Sequence, residues 1–375
     1  FEESYDNLVI TTGARPRRLN IPGIDRALFL RDVADADQLK AAVGDASEKT
    51  AVVLGAGFIG VEVAENLRKL GFAVSLVQRG SSILAGFDLE MIEPMQKRLE
   101  ENGVRLFLNA EASSISATEV VLASGETLPA AVLVSAVGVE PDNALAKAAG
   151  LRIGTTGGLW VDAQQRTSDP NIFAAGDAVE KHGMLVGDST LIPLANLANR
   201  HGRLIADVIA GLEVKAHDAI GTAIIGAFEM AVAKTGLSER EAQNAGVAHS
   251  VLHVHPNNHA AYYPGASRVS LKVLFDPISG KILGAQGVGE DGVDKRIDVI
   301  ATAIYAGLKV DDLMDLELSY APQFGSAKDA INMAGYVGNN VQHHTTPTIQ
   351  WHELEAAQNA GCLLYTSDAA DEGLG

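Results

Sequence analysis

Gly55, Gly57 and Gly60 stand in the spacing Gly-x-Gly-x-x-Gly, within Gly55-Ala56-Gly57-Phe58-Ile59-Gly60. That spacing suits a backbone that turns sharply, lets a pyrophosphate approach closely, and then packs a helix tightly on a strand. A helix starting there offers N–H donors and the positive end of its dipole to phosphate. The next apolar run ends in Val77-Gln78-Arg79. In a dinucleotide site this strand end faces the adenosine ribose, where an acid grips the hydroxyls of NAD. Gln78 removes the repulsion an acid exerts on a 2′-phosphate, and Arg79 can bind one through several hydrogen bonds. NADPH use, or use of both cofactors, is therefore expected; the plainer reading leaves Arg79 a solvated surface charge. A third group is Gly176-Asp177, which closes the apolar run Ile172-Phe173-Ala174-Ala175. A carboxylate at such a strand end can hold ribityl hydroxyls of a flavin, or simply cap a helix.

The elements around these residues follow from periodicity. Residues 51–55 form an apolar strand, and 58–70 a helix with Ile59, Val63, Leu67 and Leu70 at helical spacing and Gly71 as its stop. Strands follow at 73–78 and 104–108. Asp88 is a suitable N-cap for a helix over 89–101, which Pro94 must kink or shift. Short strands continue at 119–122, 131–137, 159–161 and 171–174, and a helix at 194–210. This alternation predicts an α/β chain with a parallel sheet covered by helices. From 219 the character changes. Strand-like runs at 222–225, 228–233, 248–255, 268–275 and 281–286, with helices at 238–245, 291–306 and 311–315, predict an antiparallel α+β unit. Residues 338–347 read as a linker.

The chain has 375 residues, 29 basic and 47 acidic, for a net charge of −18. That length suggests two or three domains. An apolar content of 47% excludes wholesale disorder. The acidic balance argues against nucleic-acid and anionic-membrane partners, and no apolar stretch reaches the ~18 residues that span a bilayer. One cysteine excludes a disulfide scaffold and a multi-cysteine zinc site. His249, His253, His255 and His259 invite a metal reading, but no cysteine accompanies them and acids are sparse nearby, so no metal is expected. The acidic chain, lacking a recognisable targeting signal, suits the cytoplasm. Phe1 opens in mid-pattern, and residues 362–375, beginning Cys362-Leu363-Leu364-Tyr365-Thr366-Ser367-Asp368, resemble a translated sequencing-library adapter. The chain is thus expected to be an internal piece of a longer protein, with Cys362 no catalyst.

Taken together, these motifs resemble the pyridine nucleotide-disulfide oxidoreductases, flavoproteins with two dinucleotide-binding domains. Thr11-Thr12-Gly13-Ala14-Arg15-Pro16 resembles the chain leaving the FAD domain, and Val137-Gly138-Val139-Glu140-Pro141 its return from the NAD(P) domain, although relatives often have Arg at Glu140. Gly176-Asp177 resembles the second FAD motif, and Pro193-Leu194-Ala195-Asn196 the helix start that faces the flavin. The resemblance implies two Rossmann-like domains, the first incomplete, plus an α+β dimerisation domain. The implied division is an FAD segment at 1–48, an NAD(P) domain at 49–140, a second FAD segment at 141–215, a dimerisation domain at 216–338 and a linker at 339–347. It implies FAD contacts at Thr12, Gly13, Ala14, Gly176, Asp177, Leu194, Ala195 and Asn196. NAD(P)H contacts fall at Gly55, Gly57, Phe58, Ile59, Gly60, Gln78, Arg79, Val137 and Gly138. Phe58 stands where relatives often carry an aromatic gate, and Glu62 where an acid pairs with a lysine; the alternatives are a helix-start core residue and a helix-face carboxylate.

Within the family, Tyr320-Ala321-Pro322-Gln323-Phe324, Ala327-Lys328-Asp329, Asn332-Met333-Ala334-Gly335 and Tyr262-Tyr263-Pro264-Gly265 resemble coenzyme A disulfide reductases and related NADH oxidases. The resemblance implies a homodimer in which Tyr320 and Tyr262 or Tyr263 reach the partner's active site; simple packing is the alternative. Residues 348–361 resemble the first strand and helix of a rhodanese domain. The activity implied is NAD(P)H-dependent reduction of coenzyme A disulfide, coenzyme A persulfide or polysulfide through flavin and a low-pKa cysteine thiolate. That cysteine and the first FAD glycine motif are expected upstream of Phe1, so the chain by itself is expected to be inactive. An NAD(P)H oxidase or peroxidase, and a redox-sensing flavoprotein with little turnover, are the alternative readings.

Overall fold

The computed structural model describes residues 2–361; the readings of Phe1, Cys362 and the rest of 362–375 lie outside them. The chain forms two units. The first comprises the residues up to Ala85 with Gln96–Gly221, and the second Gly86–Met95 with the residues from Thr222.

In the first unit, Thr50–Leu54 is a parallel strand between Ala73–Val77 and Val132–Ser135, with Val104–Phe107 on the far side of Ala73–Val77. Val52 pairs with Ser75 on one side and Leu133 on the other. Strands of this kind are covered on both faces, which is why Val52, Val53, Leu76 and Val134 are all buried. The helix Phe58–Lys69 turns Val61, Val63, Ala64 and Leu67 inward. A second small assembly pairs Leu8–Ile10 in parallel with Ile172–Ala174, and Val139–Pro141 antiparallel with Ala14–Pro16. The helix Ala195–Ile209 buries Leu197, His201, Ile205 and Val208. The run at 159–161 forms isolated bridges through Leu159 in place of a strand.

The second unit is a five-stranded antiparallel sheet in the order Ala223–Ala227, Met230–Gly236, Ile282–Gly289, Val269–Phe275, Ser250–Val254. Beside a short helix at Glu239–Asn244, its long helices are Val293–Ala306 and Ala330–Gln342. The second corrects the linker reading, because it runs through the first residues of 338–347. Gly335 and Gly338, poor helix formers, are there because side chains would collide with the Met314 backbone and with Val310. In 348–361 the described residues form a short 3-10 turn, Trp351–Glu353, and a short helix, Leu354–Asn359, with no strand.

Asp88 immediately precedes the helix Leu89–Glu101, which continues through Pro94. Its carboxylate also serves the second unit's interior. It accepts from the N–H of Glu239 at 3.0 Å, from Gln286 Nε2 at 2.5 Å, and pairs with Lys272 Nζ at 2.9 Å. Lys272, fully buried, also meets Glu90 Oε1 at 2.5 Å and Glu239 Oε2 at 2.6 Å. The three carboxylates lie close enough together to hold a cation, and the ammonium supplies it. Burial alone would raise the Glu90 carboxyl, but His253, at 3.4 Å, and Lys272 bring it down to about 2. Burial likewise opposes the Lys272 charge, and the carboxylates raise its pKa regardless.

Removing one partner from a buried ion cluster costs about 3–5 kcal/mol. Lys272→Met should therefore lower the thermal midpoint of the second unit sharply. Because the folded Glu90 titrates below its ordinary 4.5, its contribution is fully present above that pH and is lost as pH falls toward about 2. Acid unfolding of Glu90→Gln, followed by circular dichroism, should accordingly show a shallower fall in stability across that window.

Candidate dinucleotide-binding sites

The strand Thr50–Leu54 delivers Gly55 at φ 93°, a conformation open to glycine, where a side chain would also meet the Ala136 carbonyl at 2.5 Å. A Cβ at residue 60 would overlap the carbonyl oxygen of Gly55, so the helix lies on the strand only because residue 60 lacks one. Gly57 is different. It is exposed, it precedes the helix without a side-chain cap, and nothing lies within 4 Å of where its Cβ would be. The first N–H groups of a helix have no partner within it, so this uncapped start and the space beside it fit a pyrophosphate. Phe58 and Ile59, the next two residues, are exposed at the same end.

Gln78 Oε1 accepts from the Ala56 N–H at 3.2 Å, which joins the strand end to the glycine turn. Arg79 is largely exposed, with Nε 3.7 Å from Glu111 Oε1. Val137 borders Gly55, and the Gly138 carbonyl accepts from Arg17 N at 2.9 Å. Glu62 sits on the exposed side of its helix, where loss of water and then the neighbouring Glu65 raise its carboxyl.

The second group of residues is assembled by an arginine that sequence patterns did not reveal. Arg31 Nε donates to the Ala14 carbonyl at 2.9 Å, and its Nη2 pairs with Asp177 Oδ2 at 3.0 Å. One guanidinium thus brings Thr12-Gly13-Ala14 and Gly176-Asp177 together. Thr12 Oγ1 donates to the Asp142 carbonyl at 2.6 Å, adding the segment that returns after Gly138. Lys181, buried below the Gly-Asp turn, donates from Nζ to Gly176 O and, at 2.7 Å, to Val179 O. Burial brings its ammonium down to about 8, against the pull of Asp177. Leu194 leaves the helix Ala195–Ile209 without a side-chain cap, while Asn196 Oδ1 accepts from Leu197 N at 2.7 Å. On that helix His201 is buried, its Nδ1 has no partner among the described residues, and burial, then Lys181 and Arg200, bring it down to about 4. A glycine turn, an oriented carboxylate and an uncapped helix start fit a second dinucleotide, flavin included.

The tyrosines belong to the second unit. Tyr262 lies beside Tyr320, which raises the Tyr262 phenol, and both are exposed. Tyr263 instead stands edge-on to His259, with ring centres 5.7 Å apart. Their loops are joined by the Ala260 N–H, which lies 3.2 Å from Pro322 O and 3.0 Å from Gly325 O. His253 and His255 stack at 6.4 Å; His255 Nδ1 bonds Ser270 Oγ at 2.9 Å and His253 approaches Glu90.

Two alanine substitutions should separate folding from binding. Gly60→Ala overpacks the helix–strand contact and should cost about 1–3 kcal/mol or more in urea unfolding. Gly57→Ala should leave stability within about 1 kcal/mol and weaken pyridine-nucleotide binding, measured by calorimetry, about tenfold.

Residues 1–202 match the pyridine nucleotide-disulphide oxidoreductase family and 222–330 the dimerisation domain of that family. A coenzyme A disulfide reductase of Staphylococcus epidermidis is 32% identical over 339 residues, 90% of this chain and 76% of that protein. Among solved structures, reduced CoADR-RHD of Bacillus anthracis superposes with a TM-score of 0.94 at 42% identity, over 96% of this chain and 66% of that one. An NAD-dependent persulfide reductase of A. fulgidus gives 0.89 at 36% identity, over 92% and 65%. The chain therefore spans just under two thirds of the length of these two solved relatives. With the family matched across more than half its length, and with both of that family's domains in order, the chain belongs to the pyridine nucleotide-disulphide oxidoreductases.

Proposed function

We propose that the chain is the nucleotide-handling and dimerisation part of an FAD-dependent, NAD(P)H-oxidising reductase of disulfides or persulfides, with coenzyme A-linked sulfur as its substrate class. The observation that carries this reading is the presence in one unit of two dinucleotide-type turns, the Gly55–Gly60 helix start and the Arg31-clamped Asp177. The similarity to a coenzyme A disulfide reductase over 90% of the chain directs it to sulfur. Overall, NAD(P)H, a proton and a disulfide become NAD(P)⁺ and two thiols. Bound flavin supplies the means of taking a hydride and passing two electrons on to sulfur.

The residues of this chain orient and hold. The helix start at Gly57 receives the pyrophosphate of the pyridine nucleotide, and Gln78 with Arg79 meets its adenosine ribose. Phe58 and Ile59 flank the nicotinamide end. Asp177 accepts hydrogen bonds from ribityl hydroxyls while Arg31 keeps it aimed. The uncapped start of the helix Ala195–Ile209 would present the positive end of its dipole to a bound flavin. Tyr262 and Tyr320, on a homodimer, give phenolic donors to a sulfur anion. A cytoplasmic setting, which the net charge of −18 suits, belongs to the same proposal.

The test is NAD(P)H oxidation by the protein expressed from its complete gene. Coenzyme A disulfide or persulfide should accelerate turnover well beyond the rate with oxygen alone. An equal rate with and without sulfur acceptors overturns the reading in favour of an oxidase. Tyr320→Phe should reduce kcat with sulfur acceptors about a hundredfold, the lower end of what a lost transition-state hydrogen bond costs, and leave flavin reduction by NAD(P)H unchanged. Initial rates with NADPH should equal or exceed those with NADH.

A further inference from the structure

The loop after the strand Val104–Phe107 is fastened to the end of Ala73–Val77 at three points. Gln78 N donates to Phe107 O at 2.8 Å, Asn109 N to Gly80 O at 2.9 Å, and Ala110 N to Gln78 O at 3.0 Å. Asn109 adopts φ 51° to make this turn. The next residue is Glu111, whose own carbonyl is held by Ala123 N at 2.8 Å. Its backbone is therefore fixed on both sides, and its carboxylate is presented to Arg79, 3.7 Å away.

The neighbouring glutamine is fixed too. An N–H can only donate, so the bond from Ala56 N identifies the Gln78 atom facing the turn as the oxygen. The amide NH₂ then points the other way, toward Gly80. Gln78 and Arg79 both offer donors, and among the described residues the carboxylate paired with Arg79 is that of Glu111.

We infer that Glu111 is a specificity-determining residue: its carboxylate occupies the Arg79 guanidinium in the place of a nucleotide 2′-phosphate, and so restrains the preference for NADPH. A dianionic 2′-phosphate entering there displaces the carboxylate from Arg79 and is repelled by it; a nucleotide with a free 2′-hydroxyl does neither. Arg79 and Glu111 are largely exposed, so their pairing is weak and screened by salt. The effect is therefore a modest tuning that leaves both cofactors usable. The inference rests on the nucleotide reading of the Gly55–Gly60 turn.

Calorimetry on the 375-residue chain separates the two. The probes are adenosine 2′,5′-bisphosphate and adenosine 5′-monophosphate. Glu111→Gln should tighten the bisphosphate about two- to fivefold at low salt, leave the monophosphate unchanged, and lose most of the gain at about 0.5 M salt. In Arg79→Gln the same substitution at 111 should give a smaller gain, because only the direct repulsion of the 2′-phosphate is then relieved. A gain shared equally by both nucleotides, no gain at all, or a gain undiminished without Arg79 overturns the role of Glu111 while leaving the dinucleotide site intact. Failure of both nucleotides to bind the unmodified chain overturns the site itself, and the inference with it.

Discussion

The close seating of the helix Phe58–Lys69 on the strand Thr50–Leu54 is the constraint on which the candidate pyridine-nucleotide site depends. It exists because residue 60 has no Cβ to meet the Gly55 carbonyl. With the helix that close, its first turn opens beside the end of the strand, and Ala56 N comes within reach of Gln78. That bond sets the direction of the Gln78 amide, beside Arg79. Two of the glycines serve the packing of the protein, and the third leaves the helix start open.

The first unit's other site depends on a different kind of bond. Arg31 joins segments 17 and 146 residues away along the chain. No local pattern announces such a residue, because neither partner lies within a turn or a helix of it. The glycine spacing, by contrast, was legible because strand, turn and helix start are all contained within a dozen residues. The same contrast holds for Lys181 and His201, whose depressed pKa values arise from tertiary burial. The Gly176-Asp177 motif was readable; the cations beneath and beside it were not.

The second unit divides in the same way. Its strands were legible from apolar runs, although a helix over Ala330–Gln342 was hidden by Gly335, Gly338, Asn339 and Asn340. Those residues have low helix propensity, and packing against Met314, Val310 and Leu252 outweighs it. A lone lysine in the apolar run Val269–Phe275 was a visible signal that Lys272 must meet an anion in the interior. The identity of its partners was out of reach, since Asp88 and Glu90 come from a distant part of the chain and Asp88 reads locally as the cap of its own helix.

That distance bears on how the protein is made. Glu90 and Lys272 are separated by 182 residues. At ~5–20 residues per second, a ribosome takes roughly ten to forty seconds to travel from one to the other. Throughout that interval the carboxylates of Asp88 and Glu90 have been synthesised and their buried countercharge has not. Burying either acid before Lys272 exists would leave a charge without its partner, so the native seating of this segment waits on the second half of the chain.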